Sequence, residues 1–140
     1  MKELILCPLS TRENLENIPL NGLYAFYEDE KPVYVGISGQ NRMKTRIQEH
    51  SRRSSNSNTA PFAFNIAKKE AVNKKIDSSG KREILEREPE FANLFIQAKE
   101  RVSNMKVRVV EINDPNFRAL FEIYAALVLN TMEYNSFETH

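Results

Sequence analysis

Two short apolar runs near the N-terminus predict a β-hairpin. The runs at 23–27 and 32–36 are rich in aromatic and branched residues, and the charged stretch 28–30 separates them. If the turn is centred on that stretch, residues whose numbers sum to 58 face each other, so Tyr24 lies directly across from Tyr34. The two phenols are therefore expected side by side on one face, whereas a turn one residue longer or shorter would separate them.

The pattern after the hairpin predicts a helix and then a loop. Asn41 is the expected cap of a helix that reaches about Arg53, with Met43 and Ile47 four residues apart on its core face. The segment 51–59 is polar and poor in apolar residues, which is typical of a mobile loop.

Further helices and a strand are predicted downstream. Helical spacing favours helices over about 61–72 and 90–103 with a short helix before Pro89, and alternation favours a strand over 105–112. Together these elements predict an α/β protein of the α+β type, with a small central antiparallel sheet that contains the N-terminal hairpin and is flanked by helices. We expect 1–140 to be one domain.

A last helix is expected over about 115–132, with Asp114 as its cap. Its expected core stripe is bulky and apolar, and consists of Phe117, Leu120, Phe121, Tyr124, Leu127 and Val128. Because Ala125, Ala126 and Leu129 make the opposite side apolar too, most of this helix is expected to be buried.

Composition narrows the class of protein. The chain has 140 residues, of which 41% are hydrophobic and 28% charged, as in ordinary globular domains. The single cysteine, Cys7, suits a reducing compartment, and His50 and His140 are too far apart for a local metal motif. The apolar stretch 4–7 is too short for a signal peptide or a membrane span, so we expect a cytoplasmic protein without membrane contact.

Positive charge is concentrated after the hairpin, although the net charge is only +1. The basic residues of this patch are Arg42, Lys44, Arg46, Arg52 and Arg53, against the single acid Glu49. Such a patch is typical either of contact with a phosphate backbone or of a solvated helix face. Lys68 and Lys69 extend the possible contact surface further along the chain.

Glu122 is the acidic residue with the most unusual setting. On a helix it has largely apolar neighbours, so its carboxylate must be paired, protonated or bound to a metal. Spacing alone leaves two interpretations open: an ion pair with Arg118 one turn earlier, or a metal ligand.

The motifs Gly22-Leu23-Tyr24 and Tyr34-Val35-Gly36 resemble those of the GIY-YIG nuclease family. The family places an arginine on the helix after the hairpin, a glutamate on a later helix and an asparagine beyond it. Arg46, Glu122 and Asn135 occur here in that order. The resemblance covers about 21–53 and 105–137 and implies a helical insertion at about 51–104.

The resemblance implies an endonuclease that hydrolyses DNA phosphodiesters and leaves RNA open as a substrate. Glu122 would hold Mg²⁺ or Mn²⁺, and Arg46 would donate to the phosphate. Tyr34 would be the general base and Tyr24 would orient water or phosphate, although the two phenols can exchange these roles. A free phenol has a pKa near 10, so nearby cations must favour the phenolate.

Three further residues are expected to support the site, and one position departs from the family pattern. His50 is expected either to bond a tyrosine or a phosphate or to be exposed to solvent. Gly36 and Asn135 are expected to support the site, Asn135 by tying the chain back to the hairpin or by bonding Glu122. Many relatives carry a lysine where this chain has Ile37. That departure favours an alternative, a nucleic-acid-binding module without catalysis, and the near-zero net charge favours another, a protein-interaction domain.

Overall fold

The computed structural model describes residues 10–11, 15 and 17–135. The apolar stretch 4–7 and His140 lie outside the described residues. Contacts divide the chain into two compact units, the first comprising 1–47 and 105–140 and the second 48–104. The second unit contains the predicted insertion, and its reading as an insertion within one family domain stays a prediction.

An antiparallel sheet lies in the first unit. Its strands are β1 (Ser10–Thr11), β2 (Gly22–Glu28), β3 (Lys31–Ser38) and β4 (Lys106–Glu111), in the order β1-β4-β2-β3. The helices of the described residues are α1 (Met43–Glu49), α2 (Pro61–Asn73), α3 (Arg82–Leu85), α4 (Pro89–Ser103) and α5 (Pro115–Val128). The predicted α+β class is therefore confirmed, as are the strand near 105–112 and the helix near 90–103.

The register of the hairpin differs from the prediction. Asp29 and Glu30 form a two-residue turn with φ values of 52° and 65°, so Glu28 pairs with Lys31. That turn alone would put the two tyrosines on opposite faces. A bulge at Val33 shifts the register once more, so Tyr34 pairs with Phe26 and Tyr24 pairs with Gly36.

The predicted direct pairing of Tyr24 with Tyr34 is therefore wrong, but their predicted common face is right. The two register shifts add to an even number, and side chains alternate with a period of two. Tyr24 and Tyr34 are consequently diagonal neighbours on one face, with Phe26 directly opposite Tyr34.

The helix after the hairpin is shorter than predicted. Asn41 has a left-handed φ of 59°, and its backbone N–H donates to Asn21 Oδ1 at 2.7 Å, so it is a turn residue rather than a cap. The helix ends at Glu49, which leaves Arg53 outside it. Met43 and Ile47 are fully buried, as predicted.

The polar segment 51–59 is a loop, as predicted, and hydrogen bonds hold it within the second unit. The Lys99 ammonium donates to the backbone oxygens of Arg53 at 2.7 Å and Ser55 at 2.9 Å. Ser55 Oγ donates to the backbone oxygen of Glu49 at 2.6 Å, and the Ser57 N–H donates to Glu86 Oε1. The polar composition of this segment therefore belongs to a buried hydrogen-bond network, in which backbone carbonyls accept hydrogen bonds from the buried Lys99 ammonium.

The last helix presents the side opposite to the predicted one towards the sheet. Asp114 caps it as predicted, by accepting from the N–H groups of Asn116 and Phe117. Ala125 and Ala126 are fully buried in a cluster with Leu23, Ala25, Tyr27 and Val35, and Leu129 packs against it. The predicted core stripe from Phe117 to Val128 is instead exposed, and the helix ends at Val128 rather than near 132.

Candidate functional site

The aromatic face of the hairpin brings the two motif tyrosines into one row. The Tyr24 and Phe26 ring centroids are 5.8 Å apart, and those of Phe26 and Tyr34 are 6.4 Å apart. Tyr24 is almost completely buried and Tyr34 is 9% exposed. Phe26 belongs to this row but to neither motif, although its even spacing from Tyr24 indicates the same face.

Gly36 is required by the position of the Tyr24 ring. A Cβ atom at residue 36 would lie 2.8 Å from Tyr24 Cε2 and closer still to Cζ and the phenolic oxygen. Any larger residue must therefore displace the ring. The second motif thus ends in glycine because the tyrosine of the first motif lies directly over it.

Asn135 holds the strand that carries Tyr34. Its Oδ1 accepts from the Val35 N–H at 3.1 Å, and its Nδ2 donates to the Val35 oxygen at 2.8 Å. Thr131 Oγ1 donates to the same Oδ1 at 2.8 Å and fixes the amide orientation. The predicted tie to the hairpin is confirmed, while Thr131 is a supporting residue that no sequence signal indicated.

Glu122 lies on the sheet-facing side of α5, one turn before the buried Ala125 and Ala126. Burial raises the pKa of its carboxyl to about 7, and the positive charge of Arg46 acts in the opposite direction. No hydrogen bond or ion pair to this carboxyl is formed within 17–135. The carboxylate is therefore partly desolvated, and among the described residues the charge of Arg46 compensates it without a direct bond.

The alternative of an ion pair between Arg118 and Glu122 is wrong. Arg118 Nη1 instead donates to the backbone oxygens of Ile112 at 3.1 Å and Asn113 at 3.0 Å. Its guanidinium also occupies the space beside Gly39, where a Cβ would lie 2.6 Å from Nη2. Arg118 thus links the first turn of α5 to the chain after β3 and β4.

Tyr34 lies in the combined field of Glu122 and Arg46. Burial raises the pKa of its phenol well above the ordinary value of 10, and the charge of Glu122 raises it further. Arg46 lowers that pKa by a smaller amount. The structure therefore brings together one carboxylate, one guanidinium and one phenol from α5, α1 and β3.

His50 follows α1 directly and belongs to the second unit. Its side chain is fully buried, so the alternative of a solvent-exposed helix histidine is wrong. Its predicted bond to a tyrosine or a phosphate stays a prediction.

The basic residues proposed for nucleic-acid contact are exposed and belong to both units. Arg42 and Lys44 are exposed next to and on α1 of the first unit. In the second unit the exposed members are Arg52, Arg53, Lys68 and Lys69. Unlike these residues, Arg46 is only half-exposed, which agrees with its electrostatic influence on Glu122 and Tyr34.

The metal-binding capacity of the described residues rests on single carboxylates. Within 10–11, 15 and 17–135, no group of three or more histidine, cysteine, aspartate or glutamate side chains is placed to hold an ion. Glu122 combines a partly buried carboxylate with a nearby positive charge, and a single carboxylate of this kind fits Mg²⁺, since this ion keeps several water and phosphate ligands. Among the same residues, no helix is both long and apolar enough to cross a membrane.

Comparison with protein-family models, with curated proteins and with solved structures gives no match in any of the three. The resemblance to the GIY-YIG family therefore stays a prediction that depends on the motif residues and on their arrangement.

Proposed function

We propose that this protein is a divalent-metal-dependent endonuclease that hydrolyses DNA phosphodiester bonds. The observation that carries the proposal is the mutual electrostatic influence of Tyr34, Arg46 and Glu122 in a partly buried setting. These three groups come from segments far apart in sequence. Each has a chemical role in phosphodiester hydrolysis, and a purely structural cluster has no need to desolvate an unpaired carboxylate.

Arg46 binds the phosphate. Its guanidinium is always charged and donates from several N–H groups in a fixed fork, which matches the oxygens of a phosphodiester. Because it is only half-exposed, its interaction with the charge that builds on the phosphate is less weakened by solvent. Arg42 and Lys44 lie nearby in sequence and hold the flanking backbone of the nucleic acid.

Tyr34 accepts the proton of the attacking water. Before the reaction, the Tyr34 phenol loses its own proton to solvent. The water oxygen then forms a bond to phosphorus, the bond from phosphorus to the leaving oxygen breaks with its electron pair on that oxygen, and the water proton passes to the phenolate oxygen. Tyr24, which lies in the same aromatic row, orients the water or the phosphate. Asn135 positions Tyr34 through the backbone of the adjacent Val35.

Glu122 would hold Mg²⁺ or Mn²⁺ through its carboxylate. When bound, such an ion supplies positive charge beside the scissile phosphate and the leaving oxygen and offsets the negative field that Glu122 exerts on Tyr34. The raised pKa of Glu122 means that a proton competes with cation binding near neutral pH. We therefore expect cutting to increase with pH through about 7.

A second candidate function is a nucleic-acid-binding module without catalysis. The raised pKa of Tyr34 favours it, because a neutral phenol donates hydrogen bonds to phosphate but does not accept a proton from water. Ile37 also occupies the position of the lysine that many members of the suspected family carry.

Nicking of supercoiled plasmid in Mg²⁺ or Mn²⁺ distinguishes the two functions. We expect the wild type to nick DNA, and Glu122→Gln and Tyr34→Phe to lose more than about 100-fold of the rate. Glu111→Gln is the matched control, because this glutamate is exposed on β4 of the same unit, and it should cut normally.

Binding measured on the same plasmid and on an RNA hairpin completes the test. Binding of DNA without nicking by the wild type supports the module and overturns the enzyme. Nicking that survives Glu122→Gln overturns the assigned site. Preferential cutting of the RNA hairpin overturns DNA as the substrate while keeping the site.

A further inference from the structure

The outer side of α5 carries an apolar surface that the proposed nuclease does not use. We call this surface the outer seam, and its residues are Phe117, Leu120, Phe121, Tyr124, Leu127 and Val128. Each is between 36% and 63% exposed. Within the seam, the Phe117 and Phe121 ring centroids are 6.3 Å apart, and those of Phe121 and Tyr124 are 6.4 Å apart.

The outer seam lies opposite to the side of α5 that faces the sheet. Ala125, Ala126 and Leu129 mark the sheet-facing side. Seam residues recur in steps of three and four, so they form one continuous stripe at the spacing with which helices pack against each other. Both charged residues of α5, Arg118 and Glu122, lie outside the seam. The seam is therefore an uncharged helix face of the kind that normally packs against another helix.

The size of the surface matches a specific protein interface. With side-chain areas on the order of 200 Å² each, the exposed fractions of the seam correspond to roughly 600 Å². Ile123 and Met132, which are also exposed, bring the total to roughly 800 Å². A standard interface buries about 800 Å² on each partner, and patches of this size are uncommon on monomers.

From these observations we infer that the chain forms a two-fold symmetric dimer in which the outer seams of two copies pack against each other. A two-fold interface must be complementary to itself, and an uncharged apolar stripe meets this condition because no like charges are brought together. The heptad-like spacing lets the side chains of one helix fit between those of its copy.

The charge distribution of α5 argues against a lipid surface as the occupant. Helices that lie on membranes carry lysine and arginine on their polar face. The only basic residue of α5 is Arg118, whose guanidinium bonds the Ile112 and Asn113 oxygens. A strongly charged protein partner likewise finds no opposite charge in the seam. A second copy of the chain is therefore the occupant that fits best.

A dimer of this kind has a consequence for the proposed reaction. Glu122 lies on the side of α5 that faces away from the seam, so pairing through the seam leaves both carboxylates uncovered by the partner helix. Two candidate sites are then held on one particle, so both strands can be cut in one binding event rather than by sequential nicks. The dimer itself is inferred from the seam alone and does not depend on nuclease activity.

Sedimentation equilibrium from low micromolar to several hundred micromolar tests the inference. We expect a wild-type dimer, and we expect Leu120→Glu/Leu127→Glu and Leu120→Lys/Leu127→Lys each to weaken dimerisation more than about 100-fold. An equimolar mixture of the two double variants should regain the dimer mass, because opposite charges then face each other. Val72→Glu is the matched control, since Val72 is an exposed apolar residue of a different helix, and it should remain dimeric.

Each outcome decides for or against the dimer. A wild type that is monomeric throughout, double variants that stay dimeric, or a mixture that stays monomeric overturns the inference. Binding of monomeric wild type to phosphatidylcholine vesicles, lost in the acidic variant, overturns it in favour of lipid. Circular dichroism melting of each variant identifies loss of folding, and the mixture then supplies the deciding result, because only folded chains regain the dimer mass.

Discussion

Replacing Glu122 by glutamine is expected to remove cutting and at the same time to stabilise the fold above neutral pH. In the folded protein, burial raises the pKa of this carboxyl from 4.5 to about 7. Glutamine keeps the shape and the hydrogen-bonding capacity of the protonated acid but has no charge to desolvate. The variant thus separates the chemical role of the carboxylate from its effect on stability.

The sign and size of the effect follow from the two pKa values. Between about 4.5 and about 7 the folded state retains the proton that the unfolded state has lost, so the free energy of unfolding falls as pH rises. A shift of this size corresponds to a loss on the order of 3 kcal/mol, and to less where solvent reaches the carboxylate. At about pH 8 we therefore expect Glu122→Gln to be more stable than wild type by roughly 2–3 kcal/mol, with little difference near pH 4.

Urea unfolding of both proteins over this pH range, without divalent cations, measures the difference directly. Glu111→Gln is again the control, because its side chain is exposed and its unfolding curve should follow the wild type. Addition of Mg²⁺ should then stabilise the wild type and leave Glu122→Gln unchanged. A variant that is less stable than wild type at pH 8, or a difference that does not vary with pH, would refute the account of Glu122.

Three further changes test the supports of the site and the fold of the second unit. Asn135→Ala should cost about 2–4 kcal/mol and expose the Val35 N–H to hydrogen exchange, and unchanged exchange would contradict the clamp. Gly36→Ala should cost about 1–3 kcal/mol in a urea titration, and a Tyr24→Ala background should cancel this cost, whereas simple additivity would show that ring and glycine do not compete. Lys99→Met should cost about 1–3 kcal/mol and open 51–59 to trypsin, and intact resistance would refute its role in folding that segment.

Local sequence patterns predicted the elements whose signals are self-contained. The helix near 90–103 has apolar residues at regular spacing, and these residues, from Phe91 to Val102, are buried in α4. Asp114 was identified as a cap because its side chain needs only the first turn of its own helix. Such features need no knowledge of distant parts of the chain.

The hairpin register and the packing side of α5 depend on more than local pattern. The register required a turn at Asp29-Glu30 and a bulge at Val33, and no residue there is a glycine that would signal either feature. Hydropathy identified the bulky stripe of α5 as core, yet Ala125 and Ala126 face the sheet, where small side chains let the helix approach closely. Hydrophobicity predicts that a surface is covered, but it does not say by what.

The sequence predicts which residues form the candidate site, but it predicts their contacts only in part. Motif order identifies Tyr34, Arg46 and Glu122. In the structure Glu122 and Arg46 both affect the pKa of Tyr34, and Arg46 affects that of Glu122, so the three groups lie within electrostatic reach of one another. The contribution of Thr131 and the true partners of Arg118 depend on backbone groups that tertiary folding presents. No spacing rule in the sequence encodes those contacts.

The division of the first unit into two separate stretches has a consequence for synthesis on the ribosome. The second unit, 48–104, is continuous, so all of its segments are synthesised before β4. The hairpin lacks two of its hydrogen-bonding partners until β4 and Asn135 are synthesised, and Asn135 bonds Val35 from 100 positions away. At roughly 5–20 residues per second the nascent hairpin stays incomplete for about 5–20 seconds. During that interval an unfinished sheet edge is open to other chains, so slow translation or a missing C-terminal segment should favour aggregation of this protein.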